Sequence, residues 1–311
     1  MSYHEKRQML KNMMIDLIDK HNNELSKLCS DEEFYKLIRY LLAVISDNDQ
    51  ANILALRAYD ALQDDESRRI FACLFLRGCV GIDMPLMEMI LLTLKDRLME
   101  KGNDLSNYND YDFNFFIGEQ YFSLLQLKPL CGDNEIFIDC GAYDGETIKD
   151  FVKFSEGKYE KLYSFEPNPR LYENTLQNIK NAGLQRVELI QKGVWSHEAV
   201  LNFTDNGMSS QIYDKGVIPV KVVAIDDVVP ENEKVTFIKM DVEGAEFEAL
   251  KGAEKTICRC RPVLAICLYH KATDIIEIPS LIMKFFPKYK FYIRHHHITM
   301  WWEAVLYALP R

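Results

Sequence analysis

From Glu135 onward the chain repeats one unit, a short β-branched or apolar run followed by an amphipathic helical segment. Returns of that length are what parallel strands need, since an antiparallel return can be made in two residues and a parallel one takes a crossover of about a dozen or more. The pattern therefore predicts an α/β fold, a mainly parallel sheet with helices on its faces. The runs 136–140, 161–165, 187–192, 236–240 and 263–268 supply its strands. Two further strand-like runs, 291–294 and 304–308, are separated only by the polar and aromatic segment 295–303, which is too short for a crossover helix. They are expected as an antiparallel pair at the sheet edge, and the runs 200–203 and 220–225 as a hairpin or flap inserted between the third and fourth main strands.

Residues 1 to about 101 read differently, with apolar positions at helical spacing and few Gly or Pro. Four or five helices are expected there, one of them opening after Asp64 and Asp65. The segment 101–114, rich in Asn, Asp, Gly and Ser, has no face to bury and serves as the linker. This divides the chain near 110 into a helical domain, 1–110, and an α/β domain, 111–311. The helical region shows no chemistry of its own; it is expected to pack on the second domain, or to supply a lid or the face of a homo-oligomer.

Composition excludes several classes. A formal net charge of −10 without a basic stripe opposes binding to a phosphate backbone, so no nucleic-acid partner is expected. No apolar stretch approaches the roughly 18 residues of a membrane span, and residues 1–20 lack a signal-peptide core, so a cytoplasmic location is expected. The eight cysteines lack the spacing of a disulfide framework and read as reduced thiols. Cys258 and Cys260, a pair without a second pair or a nearby His, read as small hydrophobes rather than zinc ligands.

The first strand runs into Asp139, Gly141, Tyr143, Asp144 and Gly145, with a helix following. Glycines at such a turn let backbone amides approach a ligand at a helix start. Glu166, at the end of the second strand, stands where the ribose of a nucleoside needs a carboxylate acceptor. A dinucleotide fingerprint requires Gly at its third and sixth positions, and counting from Gly141 these are Tyr143 and Glu146. A pyrophosphate would also face Asp144 and Glu146 with no Lys or Arg in the turn, whereas S-adenosylmethionine presents a sulfonium and an ammonium and no phosphate. The acids fit that cation.

Four segments, Phe137 to Thr147, Phe165 to Pro169, Lys192 to Ser196 and Phe237 to Glu246, occur in an order and spacing that resemble the FkbM family of S-adenosylmethionine-dependent methyltransferases, over about residues 119–309. The resemblance implies a Rossmann-like class I methyltransferase sheet, parallel with one antiparallel edge strand, and methyl transfer to a hydroxyl on a sugar, glycan or small natural-product-like molecule. It further implies that Asp139, Gly141 and Gly145 line the methionine end, with Asp144 in the same cofactor-binding turn, that Glu166 and Asn168 hold the ribose and adenine edge, and that Gly193 and Val194 border the adenine. Tyr143 either covers the methionine moiety or points away. Glu119 or Gln120, before the first strand, is placed to close over the methionine tail.

Removing a hydroxyl proton requires a base or a positive charge, because its pKa resembles the roughly 15.7 of water. Acceptor and sulfonium should meet at the carboxyl ends of the fourth and fifth strands. There Asp241 is either a polar group beside the transferred methyl and the cofactor or a cap for the next helix. Lys239, inside an apolar strand, is expected to pair with Asp241 or Glu243, for structure or for catalysis. His270 reads as a general base or as a satisfied histidine, and Lys271 as a group that orients the acceptor. His295, His296 and His297 read as a polar substrate rim in preference to a metal site, and no metal is expected. Trp301, Trp302 and Tyr292 stack on a sugar or fill a core. The reading from another class is a catalytically silent scaffold that keeps the fold and binds cofactor; a nicotinamide oxidoreductase is a third.

Overall fold

The structure, a computed structural model, describes residues 49–75, 120–203, 218–296 and 303–310. In chain order these form α1 (Asp49–Asp60), α2 (Asp65–Phe75), β1 (Glu135–Cys140), α3 (Glu146–Phe154), β2 (Tyr159–Phe165), α4 (Pro169–Asn181), β3 (Val187–Ile190), β4 (Gly193–Val194), β5 (Ala199–Phe203) and β6 (Ile218–Val223). They continue with α5 (Ile225–Val228), β7 (Phe237–Met240), α6 (Glu246–Lys251), α7 (Glu254–Cys260), β8 (Val263–Cys267), α8 (Asp274–Phe285), β9 (Lys290–His295) and β10 (Ala304–Leu309).

The main sheet has the order β3-β2-β1-β7-β8-β10-β9. Neighbours from β3 to β8 are parallel, and β10 runs antiparallel to β8. The five parallel strands expected from the sequence are all present. The reversed strand β10 lies one place in from the edge, with β9 outermost. Because the chain winds outward from β1 in one direction and continues at β7 in the other, the order reverses between these two strands, and their carboxyl ends border the crevice where such sheets take ligands. The expected hairpin is also present: β5 and β6 pair antiparallel, and with β4 they make a separate three-stranded sheet.

Helices cover both faces of a parallel sheet, so its central strands are buried on both sides and mainly apolar. Every residue of β1, β7 and β8 is buried. Alternation along β1 puts Phe137 and Asp139 on one face, and register with β7 sets Phe237 beside Phe137 and Lys239 beside Asp139. Low on that face Phe137 stacks on Phe151 of α3 at 4.2 Å between ring centroids, and Phe122, Phe154 and Phe237 pack around them. At the carboxyl ends the same face changes from aromatic to ionic.

Two compact units divide the chain. One comprises Gly118–His270, Leu281–Lys290 and Val305–Arg311, and the other Met1–Ile117, Lys271–Ser280 and Phe291–Ala304. In the second, Asp64 starts α2 by accepting from the Ser67 amide at 2.9 Å, as its place before an apolar periodic run suggests. Arg294 pairs with Asp64 at 2.6 Å and with Glu66 at 3.2 Å, which holds the Asp64 carboxyl below its ordinary range although burial opposes the shift. The other helices expected before residue 110 lie outside the described residues. No helix among the described residues is long and apolar enough to cross a membrane.

Candidate active site

The side-chain clusters around Asp139 and Asp241 lie in the first unit. Lys239 and Asp139, 2% and 0% exposed, form an ion pair at 3.2 Å. The Lys239 ammonium also donates to the backbone oxygens of Gly141 at 2.7 Å and Cys140 at 3.3 Å. Burial disfavours the ammonium, yet Asp139 and Asp241 outweigh it and raise its pKa, so Lys239 is charged. Burial moves the Asp139 carboxyl upward against the pull of Lys239. The sequence pointed to Asp241 or Glu243 as the partner of Lys239. Strand register decides for Asp139, because residues paired across parallel neighbours carry their side chains to the same face.

After β1 the backbone enters left-handed conformations at Gly141 (φ 87°), Tyr143 (φ 54°) and Gly145 (φ 84°). At Gly141 the reason is contact as well as φ, since a Cβ there would lie 2.0 Å from the carbonyl oxygen of Asp241. The turn is held by Glu166, 5% exposed, which accepts from the Tyr143 amide and the Asn168 amide, each at 2.9 Å. Burial raises the Glu166 pKa while the two amides oppose it. Asp144 Oδ1 accepts from the Glu146 amide at 3.1 Å, and Tyr143 is half exposed. The Asn168 side chain caps α4, accepting from the amides of Arg170 and Leu171 at 3.0 and 3.3 Å, so its carbonyl oxygen already has a structural use that the sequence reading did not give it. Gly193 and Val194 are buried in β4.

A second cluster gathers at the ends of β7 and β8. The loop after β7 takes left-handed conformations at Glu243 (φ 54°) and Gly244 (φ 91°). This curls the chain so that the Val242 amide donates to Glu246 Oε1 at 2.8 Å. Asp241 accepts from the hydroxyls of Tyr121 at 2.8 Å and Tyr269 at 3.1 Å. Burial alone would raise the Asp241 pKa; Lys239, His270 and the two tyrosines outweigh it and hold it low. His270 Nδ1 is 2.8 Å from Glu246 Oε1, while its Nε2 is 3.5 Å from both Asp241 Oδ1 and Glu243 Oε2. Burial works against the imidazolium, but Glu246, Asp241 and Glu243 raise the pKa to about 9, so the ring is protonated at neutral pH. A protonated ring is a cation and a proton donor and has no lone pair to act as a base. Burial, with the neighbouring carboxylates Asp241 and Glu246, lifts Glu243 to about 7 although His270 opposes it. Asp241, Glu246 and His270 each offer one atom that a metal ion could share, all within 4.8 Å of one another.

Asp139, Lys239, Asp241 and His270 are thus brought to the strand ends as the sequence suggests. The helix cap weighed for Asp241 is not found: the residue preceding α6 is Ala245, and no side chain caps the helix. Lys271 is exposed, and its amide donates to Asp274 at 2.9 Å. The backbone oxygen of Gln120 accepts from the Tyr307 hydroxyl, and Glu119 lies outside the described residues. His295 and His296 are fully buried, which overturns their reading as a polar rim; strand β9 carries His295 inward and the His296 amide pairs with the Glu303 carbonyl at 3.0 Å. His297, Trp301 and Trp302 lie outside the described residues. Sequence reasoning missed Tyr121, Glu246 and Tyr269 as members of the cluster, and offered Glu243 only as a partner for Lys239. The signal for the two acids was their place just after a strand end.

A parallel sheet whose order reverses between β1 and β7, with the antiparallel strand β10 beside β8, a left-handed glycine turn after β1 and a buried acid at the end of β2, has the architecture of the Rossmann-like S-adenosylmethionine-dependent methyltransferases. The turn 141–145 contains no Lys or Arg, and Lys239 is committed to Asp139 and two carbonyls. The donor set therefore suits a phosphate-free cation. The chain belongs to the FkbM methyltransferase family, whose domain matches residues 139–308, more than half of its length. It is similar to the 2-O-methyltransferase NoeI of Sinorhizobium fredii (strain NBRC 101917 / NGR234), 24% identical over 200 residues that cover 57% of this chain and 77% of that protein. It is also similar to ribosomal RNA small subunit methyltransferase H of Chlamydia pneumoniae, 22% identical over 160 residues, 51% of this chain and 48% of that one. The solved structure of methyltransferase FkbM from Methylobacillus flagellatus KT shares the fold, with a TM-score of 0.60 at 22% identity over 84% of this chain and 59% of that chain.

Proposed function

We propose that this chain methylates a hydroxyl oxygen of a sugar, glycan or small natural-product-like molecule. The observation that carries the reading is the cluster at the ends of β7 and β8, where Asp241 is held ionised beside the cationic His270 at the crevice of the sheet. The relative that methylates a 2-O position supports an oxygen acceptor. In this reading Glu166, which holds the turn through the Tyr143 amide, takes the ribose, and the left-handed turn at Gly141, Tyr143 and Gly145 takes the methionine end.

Bound S-adenosylmethionine supplies an electrophilic methyl on a sulfonium. With it bound, the acceptor oxygen would form the new C–O bond with a lone pair, the electrons of the C–S bond would stay on sulfur, and the hydroxyl proton would leave to solvent. Asp241, held ionised, stabilises the positive charge that gathers on the acceptor oxygen as the new bond forms, and the buried His270–Glu246 pair fixes Asp241's surroundings. The reading is tested with methyl-labelled cofactor and a panel of glycans and hydroxylated small molecules. Transfer to oxygen that is lost in Asp241→Asn, with S-adenosylhomocysteine binding retained, supports it. Cofactor binding with no transfer to any hydroxyl refutes it.

A further inference from the structure

Methyl transfer leaves one atom of the cluster unexplained. His270 Nε2 is buried without a hydrogen bond, on a side chain only 5% exposed, and lies 3.5 Å from one carboxylate oxygen of Asp241 and 3.5 Å from one of Glu243. Those separations exceed the hydrogen-bond range of about 2.7–3.2 Å. They are close to the edge of a coordination shell, where ligands about 2.1 Å from an ion stand about 3.0–3.4 Å apart between octahedral and tetrahedral geometry. The other ring nitrogen is fixed from behind: Nδ1 faces Glu246 Oε1 at 2.8 Å, and Glu246 is fully buried and anchored by the Val242 amide. A carboxylate that orients a histidine so that its second nitrogen faces outward is the arrangement metal-binding histidines use.

We propose that His270 Nε2, Asp241 Oδ1 and Glu243 Oε2 bind one divalent cation of the Mn2+ or Mg2+ type, with Glu246 orienting the imidazole. The ligand set of one imidazole nitrogen and two carboxylate oxygens suits a borderline to hard ion. The Asp241 carboxylate is itself steadied by Tyr121 and Tyr269. Asp241 and Glu243 keep 24% and 35% of their side chains exposed, which leaves coordination positions open on the outer side. The proposal rests on the hydroxyl-transfer reading for its purpose: the acceptor oxygen becomes a further ligand, and the ion lowers the pKa of its proton, which departs to solvent.

The test is a Mn2+ titration of the full chain followed by electron paramagnetic resonance, in which bound ion loses the six-line signal of free Mn2+. One ion per chain is expected, weakened at least about tenfold in His270→Gln and Asp241→Asn and by about 10–100-fold in Glu246→Gln. S-adenosylhomocysteine affinity and circular dichroism identify the variants that remain folded. Wild-type protein that leaves the free Mn2+ signal undiminished at millimolar ion overturns the proposal, as do folded variants that bind as tightly as wild type. Methyl transfer that survives a chelator, with no Mn2+ bound, sinks the ion and leaves hydroxyl methylation standing. Mn2+ bound at these residues with no transfer to any hydroxyl supports the ion and sinks the acceptor reading.

Discussion

Replacing Lys239 by methionine keeps most of the side-chain volume and removes the ammonium that stands 3.2 Å from Asp139. The Asp139 carboxylate, 0% exposed, is left with the Ser164 hydroxyl at 3.4 Å, and the carbonyls of Gly141 and Cys140 lose their donor. Breaking a buried pair from one side costs about 3–5 kcal/mol because the remaining charge is uncompensated. A domain's whole stability is about 5–15 kcal/mol, so this is a large share of it. At about 2–4 °C per kcal/mol for a domain of this size, the melting temperature should fall by roughly 6–20 °C. The effect should depend on pH with a definite sign. Without Lys239 the folded pKa of Asp139 moves further above the unfolded value of about 3.9, and between the two the folded state binds more protons, so stability falls as pH rises. The deficit of Lys239→Met relative to wild type should therefore be small near about pH 4 and full near about pH 8. Adding Asp139→Leu should recover most of the loss, since an apolar pair of fitting volume replaces a buried ion pair at little cost. Urea unfolding at both pH values is the assay. A single variant within about 1 kcal/mol of wild type at pH 8, or a double variant no better than the single one, would refute the reasoning.

Gly141→Ala should lose about 2–5 kcal/mol, combining about 1–2 for an L-residue at φ 87° with about 1–3 for overpacking against the Asp241 carbonyl 2.0 Å away. Because the atom displaced belongs to Asp241, calorimetry should also show weaker S-adenosylhomocysteine binding, and unchanged affinity would contradict the packing account. Asn168→Ala should cost about 1 kcal/mol of stability as a lost helix cap. If calorimetry shows its cofactor affinity falling more than about tenfold, the side chain reaches the ligand as well as the helix. The Tyr143 and Asn168 amides donate to different oxygens of Glu166, each at 2.9 Å, so Glu166→Gln keeps an acceptor for one of them, sets its own amide donor against the other and leaves about 1–3 kcal/mol of unsatisfied hydrogen bonding. Equilibrium dialysis should show S-adenosylhomocysteine bound about tenfold more weakly, and wild-type affinity would remove Glu166 from the site.

Short apolar runs with helical intervals fixed the parallel sheet, because hydrophobic period and connection length are local properties of a chain. The glycine turn, Glu166 and the strand-end positions of Asp241 and His270 were legible for the same reason: each sits next to an element whose direction the pattern already gave. Pairings between distant segments were not legible. Lys239 met Asp139 through the register of β1 and β7, Glu243 and Glu246 reached His270 through two left-handed residues, and Tyr121 arrived from before the sheet to hold Asp241. Those contacts also set which groups are charged, since burial and neighbours act through space: the same imidazole that sequence offers as a base is a cation once three carboxylates surround it.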